Sequence, residues 1–249
     1  MDLGLKNKSA IITGGSRGIG LAIADLLARE GVNVSICARN ADHLDAAAKT
    51  LAQHGTKVHA APCNVADADA LKAYIDAAST ALGGLDILIN NASAFGRTDD
   101  EDGWRTSIDV DLMASVRASW AATPHLDAAG GGTIIHISSI SGLKASPRTP
   151  PYAAIKATLM QYTQTQALQL APKSIRVNCV APGSIYFEGG TWDDARQNNP
   201  QLYQGILSSI PHRRFGKPEE VATLTVYLAS DAASWVTGQT IAVDGGQML

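Results

Sequence analysis

Residues 9–20, Ser9-Ala10-Ile11-Ile12-Thr13-Gly14-Gly15-Ser16-Arg17-Gly18-Ile19-Gly20, decide how this chain folds. A short apolar run, Ser9–Thr13, enters a glycine-rich turn and leaves it as an amphipathic stretch over 18–30. A strand feeding a helix through such a turn is the opening of a βαβ unit. Glycine at 14, 18 and 20 allows positive φ and close approach of the backbone to a pyrophosphate. The helix that follows offers unpaired N–H groups and roughly +0.5 of dipolar charge. The spacing is G-x-x-x-G-x-G, and the Lys-Ser/Thr of a P-loop is missing. A dinucleotide is therefore the expected ligand, held by Gly14, Ser16, Arg17, Gly18, Ile19 and Gly20.

The same rhythm continues outward. Apolar runs at Asn33–Cys37, Lys57–Ala61, Leu85–Ile89, Thr133–Ile137, Arg176–Val180 and Thr240–Val243 predict six further strands. Helical periodicity predicts helices near 41–54, 67–82, 101–128, 152–171 and 218–229. Pro151 before Tyr152, and Pro218 followed by Glu219-Glu220, suit helix starts. Alternation of this kind specifies an α/β fold: one doubly wound Rossmann-type domain over 1–249, a seven-stranded parallel sheet with helices on both faces. Residues 183–217 break the rhythm and read as a substrate-covering excursion, with a helix near 193–208.

Composition narrows the function classes. The 249 residues carry a formal net charge of −3, and Arg213-Arg214 is the only adjacent basic pair, so neither nucleic acid nor an anionic membrane is an expected partner. The first apolar run breaks into glycines at once, too early for a signal peptide or membrane span. Cys37, Cys63 and Cys179 are too few and too scattered for a disulfide framework or a zinc site, and read as buried small residues. The six histidines show no metal-ligand spacing, and no metal is expected. A cytoplasmic setting follows from these readings.

The end of the second strand is where the two nicotinamide cofactors are told apart. An acidic residue there would bond the ribose hydroxyls of NAD. This chain has Ala38-Arg39-Asn40 instead. Arg39 and Arg17 are placed to pair with the 2′-phosphate of NADP, so NADP(H) is expected over NAD(H).

Catalytic chemistry points to Tyr152-Ala153-Ala154-Ile155-Lys156, with Ser139 thirteen residues upstream of the tyrosine. A phenol and an ammonium four residues apart share one helix face. An isolated phenol ionises near pH ~10, and a neighbouring Lys⁺ favours the phenolate, giving a usable acid/base.

Taken together, these segments resemble the short-chain dehydrogenase/reductase family along essentially the whole chain. The matching residues are Thr13-Gly14-x-x-x-Gly18-x-Gly20, Asn90-Asn91-Ala92, Ser139, Tyr152-x-x-x-Lys156, Asn178 and Pro182-Gly183. Gly216-Lys217-Pro218-Glu219-Glu220-Val221 and Val243-Asp244-Gly245-Gly246 resemble the 3-oxoacyl-carrier-protein reductase branch. The resemblance implies that Ser139 hydrogen-bonds the substrate oxygen and that Tyr152 exchanges a proton with it. It implies that Lys156 lowers the Tyr152 pKa and holds the nicotinamide ribose. It extends the cofactor set to Asn64, Val65, Asn91, Ala92, Tyr152, Lys156, Pro182, Gly183 and Ile185, and it implies a homotetramer. Ser141, Tyr186, Phe187 and Trp192 are the candidate substrate contacts, favouring a partly apolar ketone.

Four positions depart from the family pattern. Asp111 stands at the fourth catalytic position, normally Asn, where a carboxylate would stabilise Lys156⁺ if close. Asn64 stands where an adenine-contacting Asp is common. Ser93 replaces the usual Gly after Asn90-Asn91-Ala92, at a cost in strain if that position needs positive φ. Phe187 replaces a Thr near the nicotinamide amide. The expected function is an NADP(H)-dependent carbonyl reductase or alcohol dehydrogenase acting on a small molecule. A carrier-protein reductase is the enzymatic alternative, weighed against by the absence of basic residues in 126–132. A nucleotide-binding regulator that has lost catalysis is the non-enzyme alternative.

Overall fold

Seven strands form one sheet in the order β3-β2-β1-β4-β5-β6-β7, and every pairing is parallel. They are β1 Ser9–Thr13, β2 Asn33–Ala38, β3 Val58–Pro62, β4 Ile87–Asn90, β5 Gly132–Ile137, β6 Ile175–Pro182 and β7 Thr240–Val243. This is a computed structural model, and it describes residues 2–249. All seven expected strands are present. Strand β1 pairs with β2 on one side and β4 on the other, so chain order reverses at β1. A crevice opens at the carboxyl ends of the strands on either side of such a reversal.

The apolar runs are continuous because both sheet faces are covered. Along β1, Ile12 packs into one layer with α1 (Gly18–Arg29), α2 (Ala41–Ala52) and α9 (Pro218–Ala229). Its neighbour Ile11 packs into the other layer, with α3 (Ala68–Leu82) and α5 (Ala114–Ala128). The period-2 alternation of a strand sends successive isoleucines to opposite layers. Each fully buried Ile or Leu contributes about 1.5–3 kcal/mol, which is why this architecture needs no staple.

Helix ends carry their expected chemistry. Asp67 caps α3 by accepting from the Asp69 and Ala70 N–H groups, and Gly83 at φ 88° closes it. Glu220 reaches back to the Lys217 N–H at 2.8 Å and takes both Arg214 nitrogens, fixing the start of α9. Asn178 ties β6 to the approach of β7, donating to Val236 O and accepting from the Gln239 N–H. No helix is long and apolar enough to cross a membrane among the described residues.

Two expected helices are broken. The stretch 101–128 divides into α4 (Glu101–Thr106), a π-helical turn over Ser107–Met113, and α5. Asp111 sits inside that wide turn with no exposed surface. Such turns inside α-helices often serve functional sites. The helix expected over 193–208 is two helices, α7 (Thr191–Asn198) and α8 (Pro200–Ser209). Pro200 has no N–H to donate and cannot continue α7, while Asn199 leaves the helical region at φ −147° and caps α8 by accepting from the Leu202 N–H. The catalytic helix candidate, α6, runs Pro150–Leu170.

Candidate active site

The glycine turn is held open by its neighbours. Gly14 and Gly18 have φ of 67° and 55°. A Cβ on Gly20 would lie 2.3 Å from the Gly14 carbonyl oxygen, so that position admits only glycine. The Asn91 amide donates to Thr13 O and Gly14 O, and the Thr13 hydroxyl accepts from the Asn91 and Ala92 N–H groups. Asn91 thus braces the turn from β4. No side chain caps α1, and Ile19 and Gly20 of its first turn line the crevice.

A cavity of about 1180 Å³ occupies that crevice. It is lined at one end by Arg39, Asn64 and Val65, and in the middle by Gly14, Ser16, Arg17, Ile19, Gly20, Asn91 and Ala92. At the other end stand Ser139, Ser141, Tyr152, Lys156, Pro182, Gly183, Ile185 and Trp192, while Phe187 lines the cavity over the glycine turn. These expected residues, scattered over the sequence, share one space. Three do not line it. Gly18 lies under the Phe187 ring, where a Cβ would be 2.7 Å from the phenyl Cζ. Asp111 is buried behind Ser93. Tyr186 is turned into the excursion, its hydroxyl donating to Asp193 at 2.7 Å and its ring under the Arg196 guanidinium. Backbone alternation explains the split: Phe187 faces the crevice, and Tyr186 the helices that cover it.

At the substrate end, Ser139 begins a short 3₁₀ turn after β5 and accepts from the Ser141 N–H at 3.1 Å. Tyr152 and Lys156 descend one face of α6. The Lys156 ammonium donates to Ile137 O at 3.0 Å and lies 3.4 Å from Asp111 Oδ1. Burial alone would push Lys156 down, but Asp111 and Tyr152 outweigh it and hold its pKa above the usual lysine value. For Tyr152 the direction differs from the sequence expectation. Burial raises its pKa most, Lys156 pulls it down, Asp111 raises it again and the Ser139 hydroxyl lowers it. The net result is above the ordinary phenol value, because burial outweighs the pull of the lysine's charge, which Asp111 also partly offsets.

Comparison with known proteins agrees with this arrangement. A family profile described as Enoyl-(Acyl carrier protein) reductase matches residues 14–248. The 3-oxoacyl-[acyl-carrier-protein] reductase FabG of Chlamydia trachomatis is 38% identical over 97% of this chain and 98% of its own. L-sorbose reductase from Gluconobacter frateurii, solved with NADPH and L-sorbose, superimposes with a TM-score of 0.92 at 35% identity, covering 100% of this chain and 99% of the other. A 7α-hydroxysteroid dehydrogenase solved with NADH and a 7-oxo bile acid gives a TM-score of 0.92 at 33% identity, covering 98% and 96%. The chain belongs to the short-chain dehydrogenase/reductase family.

Within this short-chain dehydrogenase/reductase, the departures from the family pattern take on structure. Ser93 carries no positive φ, so the strain anticipated there is absent; the left-handed residue of that loop is Phe95, at φ 54°. The Ser93 hydroxyl instead donates to Asp111 Oδ1 in a short contact, and the Ala94 N–H reaches Oδ2 at 3.4 Å. Phe95 stands edge-on to Tyr152, centroids 4.6 Å apart, and lines the cavity with Lys144, Arg148 and Ile206. None of these four was expected from sequence, although Phe95 lies just past Asn90-Asn91-Ala92. Cys37 and Cys63, far apart in sequence, both line the adenine end, as the pairing of β2 with β3 requires. His136 is wholly buried between Asn90 and Gln166, and burial pushes its pKa down to about 4, so it is neutral and structural. Among the described residues, no cluster of three metal-ligating side chains occurs.

Proposed function

We propose that this protein is an NADP(H)-dependent oxidoreductase that interconverts a ketone and a secondary alcohol, with Tyr152 as general acid/base. One observation carries the reading: Ser139, Tyr152 and Lys156 open into the same cavity as the uncapped start of α1. That site fits a nicotinamide dinucleotide. Only glycine fits at 20, the first-turn N–H groups suit a pyrophosphate, and Lys156 and Tyr152 stand at the far end. The bound cofactor would supply or accept a hydride. Ser139 would donate a hydrogen bond to the substrate oxygen, and Tyr152 would give that oxygen its proton in reduction or take it in oxidation. Phe95, Trp192 and Ile206 make the substrate end partly apolar, favouring an aryl or cyclic ketone or an acyl chain. Turnover of NADPH with a panel of such ketones tests the reading, and no turnover with any of them overturns it.

The solved relatives above hold NADPH in one case and NADH in the other, so local residues must decide the preference. Arg39 lines the adenine end and no carboxylate lines the cavity, which supports NADP(H). Arg17 lies at the middle of the same cavity and also donates to Gly189 O at 3.2 Å. Arg39→Ala is expected to lower the NADPH-to-NADH ratio of kcat/KM by roughly 10–100-fold, the equivalent of one charge-assisted hydrogen bond of about 1.5–3 kcal/mol. Steady-state kinetics with both cofactors checks it; an unaltered protein that prefers NADH would reverse the assignment.

The similarity to FabG favours a second reading, reduction of a 3-oxoacyl thioester. Comparing free with carrier-linked thioesters separates the two, a strong carrier preference favouring the second. Self-association into a homotetramer is supported by the exposed faces of α5 and α6, where Trp120 is 63% and Leu168 80% exposed.

A further inference from the structure

The charges that line the cavity are of one sign. None of the chain's 23 acidic residues lines it, whereas Arg17, Arg39, Lys144, Arg148 and Lys156 all do. Arg17 and Arg39 fall to the cofactor under the reading above, and Lys156 to Tyr152. Lys144 and Arg148 are left over. Both lie in the connection 143–149, between the 3₁₀ turn that follows Ser139 and the start of α6 before Tyr152. They therefore belong to the substrate end, not to the glycine turn. Lys144 is steadied by the C-terminal segment, donating to Gln247 O at 2.9 Å, and has two more N–H bonds to give. Arg148 is exposed, lines the cavity, and makes no ion pair or side-chain hydrogen bond among the described residues.

Carboxylates close by are engaged elsewhere. Asp99 accepts from the Trp104 indole, Asp100 caps α4 through the Gly103 N–H, and Glu101 and Asp102 face Arg105. Asp193 holds Tyr186 and Arg196. Two uncompensated cations beside an apolar chamber attract an anion with an apolar body. The backbone adds no donors for it: α6 opens with Pro150-Pro151, which have no N–H, and the Ser141 N–H is already taken by Ser139. Without a cradle of amides for the three oxygens of a phosphate, side chains alone must hold the anion. The fork of an arginine matches the two oxygens of a carboxylate.

We propose that the substrate is a carboxylate-bearing ketone, its carbonyl on Ser139 and Tyr152 and its carboxylate on Arg148 and Lys144. Such a substrate presupposes the oxidoreductase reading and narrows it. The apolar body between the two groups lies against Phe95, Trp192 and Ile206. Hydride and proton go to the carbonyl as before, and the carboxylate takes no part in the chemistry. Arg148 and Lys144 thus decide which ketone is accepted.

The test is reduction of matched ketones with NADPH: para-acetylbenzoate, a cyclohexanone carboxylate and an oxo fatty acid, each beside its methyl ester. Para-acetylphenyl phosphate serves as the competing anion. Acids are expected to exceed their esters roughly 10–100-fold in kcat/KM, chiefly through KM, and to lose that advantage as ionic strength rises. Arg148→Ala should raise KM for an acid roughly 10–100-fold more than for its ester, and Arg148→Lys, which keeps the charge but not the fork, should recover part of the loss. Lys144→Ala should act in the same direction with a smaller effect. Esters turned over as well as every acid overturn the carboxylate assignment and leave the oxidoreductase reading intact. A phosphate preferred to its carboxylate counterpart overturns it too. So does an Arg148→Ala enzyme whose KM rises as much for NADPH as for the acid, which gives Arg148 to the cofactor. If the unaltered protein reduces none of these ketones, the oxidoreductase reading falls, and the acid with it.

Discussion

Replacing Tyr152 by Phe is expected to lower kcat/KM for ketone reduction by about 10³-fold or more, while cofactor affinity and thermal stability stay close to the unaltered protein's. The substitution removes one oxygen and keeps the ring that packs edge-on against Phe95. What is lost is the proton donor to an oxygen on which negative charge develops, and a threefold power of ten corresponds to about 4 kcal/mol of transition-state stabilisation. Ser139→Ala is expected to cost less, since a hydrogen bond to the same oxygen is removed but the proton source remains. The double variant is then informative. Both hydroxyls act on one atom, so their effects should fall well short of adding in free energy. Single-turnover rates with saturating NADPH check this, and a Tyr152→Phe enzyme retaining more than about a tenth of the unaltered rate would remove the phenol from the mechanism.

Much of this was legible in the sequence, for local reasons. The seven strands were readable because both faces of the sheet are buried, so the runs are uninterrupted and bounded by glycine or proline. Ser139, Tyr152 and Lys156 were readable because a short connection and one helix face fix their relation. Features that depend on distant chain were not readable. The break of 101–128 into two helices has no proline at its centre; it shows only once Asp111 turns inward onto Lys156. That Ser93 would meet Asp111 required β4 and the π-helical turn to be set side by side. The direction of the Tyr152 shift failed for the same reason: the lysine beside it in sequence was visible, whereas the burial of the phenol, and then the carboxylate behind that lysine, were not. Tyr186 and Phe187 differ only in which way a loop residue faces, which their type does not reveal.

Asp111 therefore carries the other large expectation, and it divides into charge and size. Asp111→Ala would leave the Lys156 ammonium, 3% exposed at its side chain, without its carboxylate. Removing one partner of a buried ion pair costs about 3–5 kcal/mol, which in a chain of this length lowers the melting temperature by roughly 6–20 °C. Because the folded pKa of Lys156 is raised, this contribution is fully present below the lysine's unfolded value near ~10.4 and is lost only as pH rises through the higher folded one. The stability gap between the two proteins should thus be flat across neutral pH and narrow above about pH 10. Asp111→Asn keeps the shape and removes the charge, and its signature is kinetic. Asp111 raises the Tyr152 pKa and also raises that of Lys156, so without the charge both should fall. Alcohol oxidation needs the phenolate and ketone reduction the phenol; both limbs of the pH–rate profile should therefore move toward acid together. A profile that does not move would make this carboxylate a bystander to Tyr152, and the ionisation of the phenol would then have to be set by burial, Lys156 and Ser139 alone.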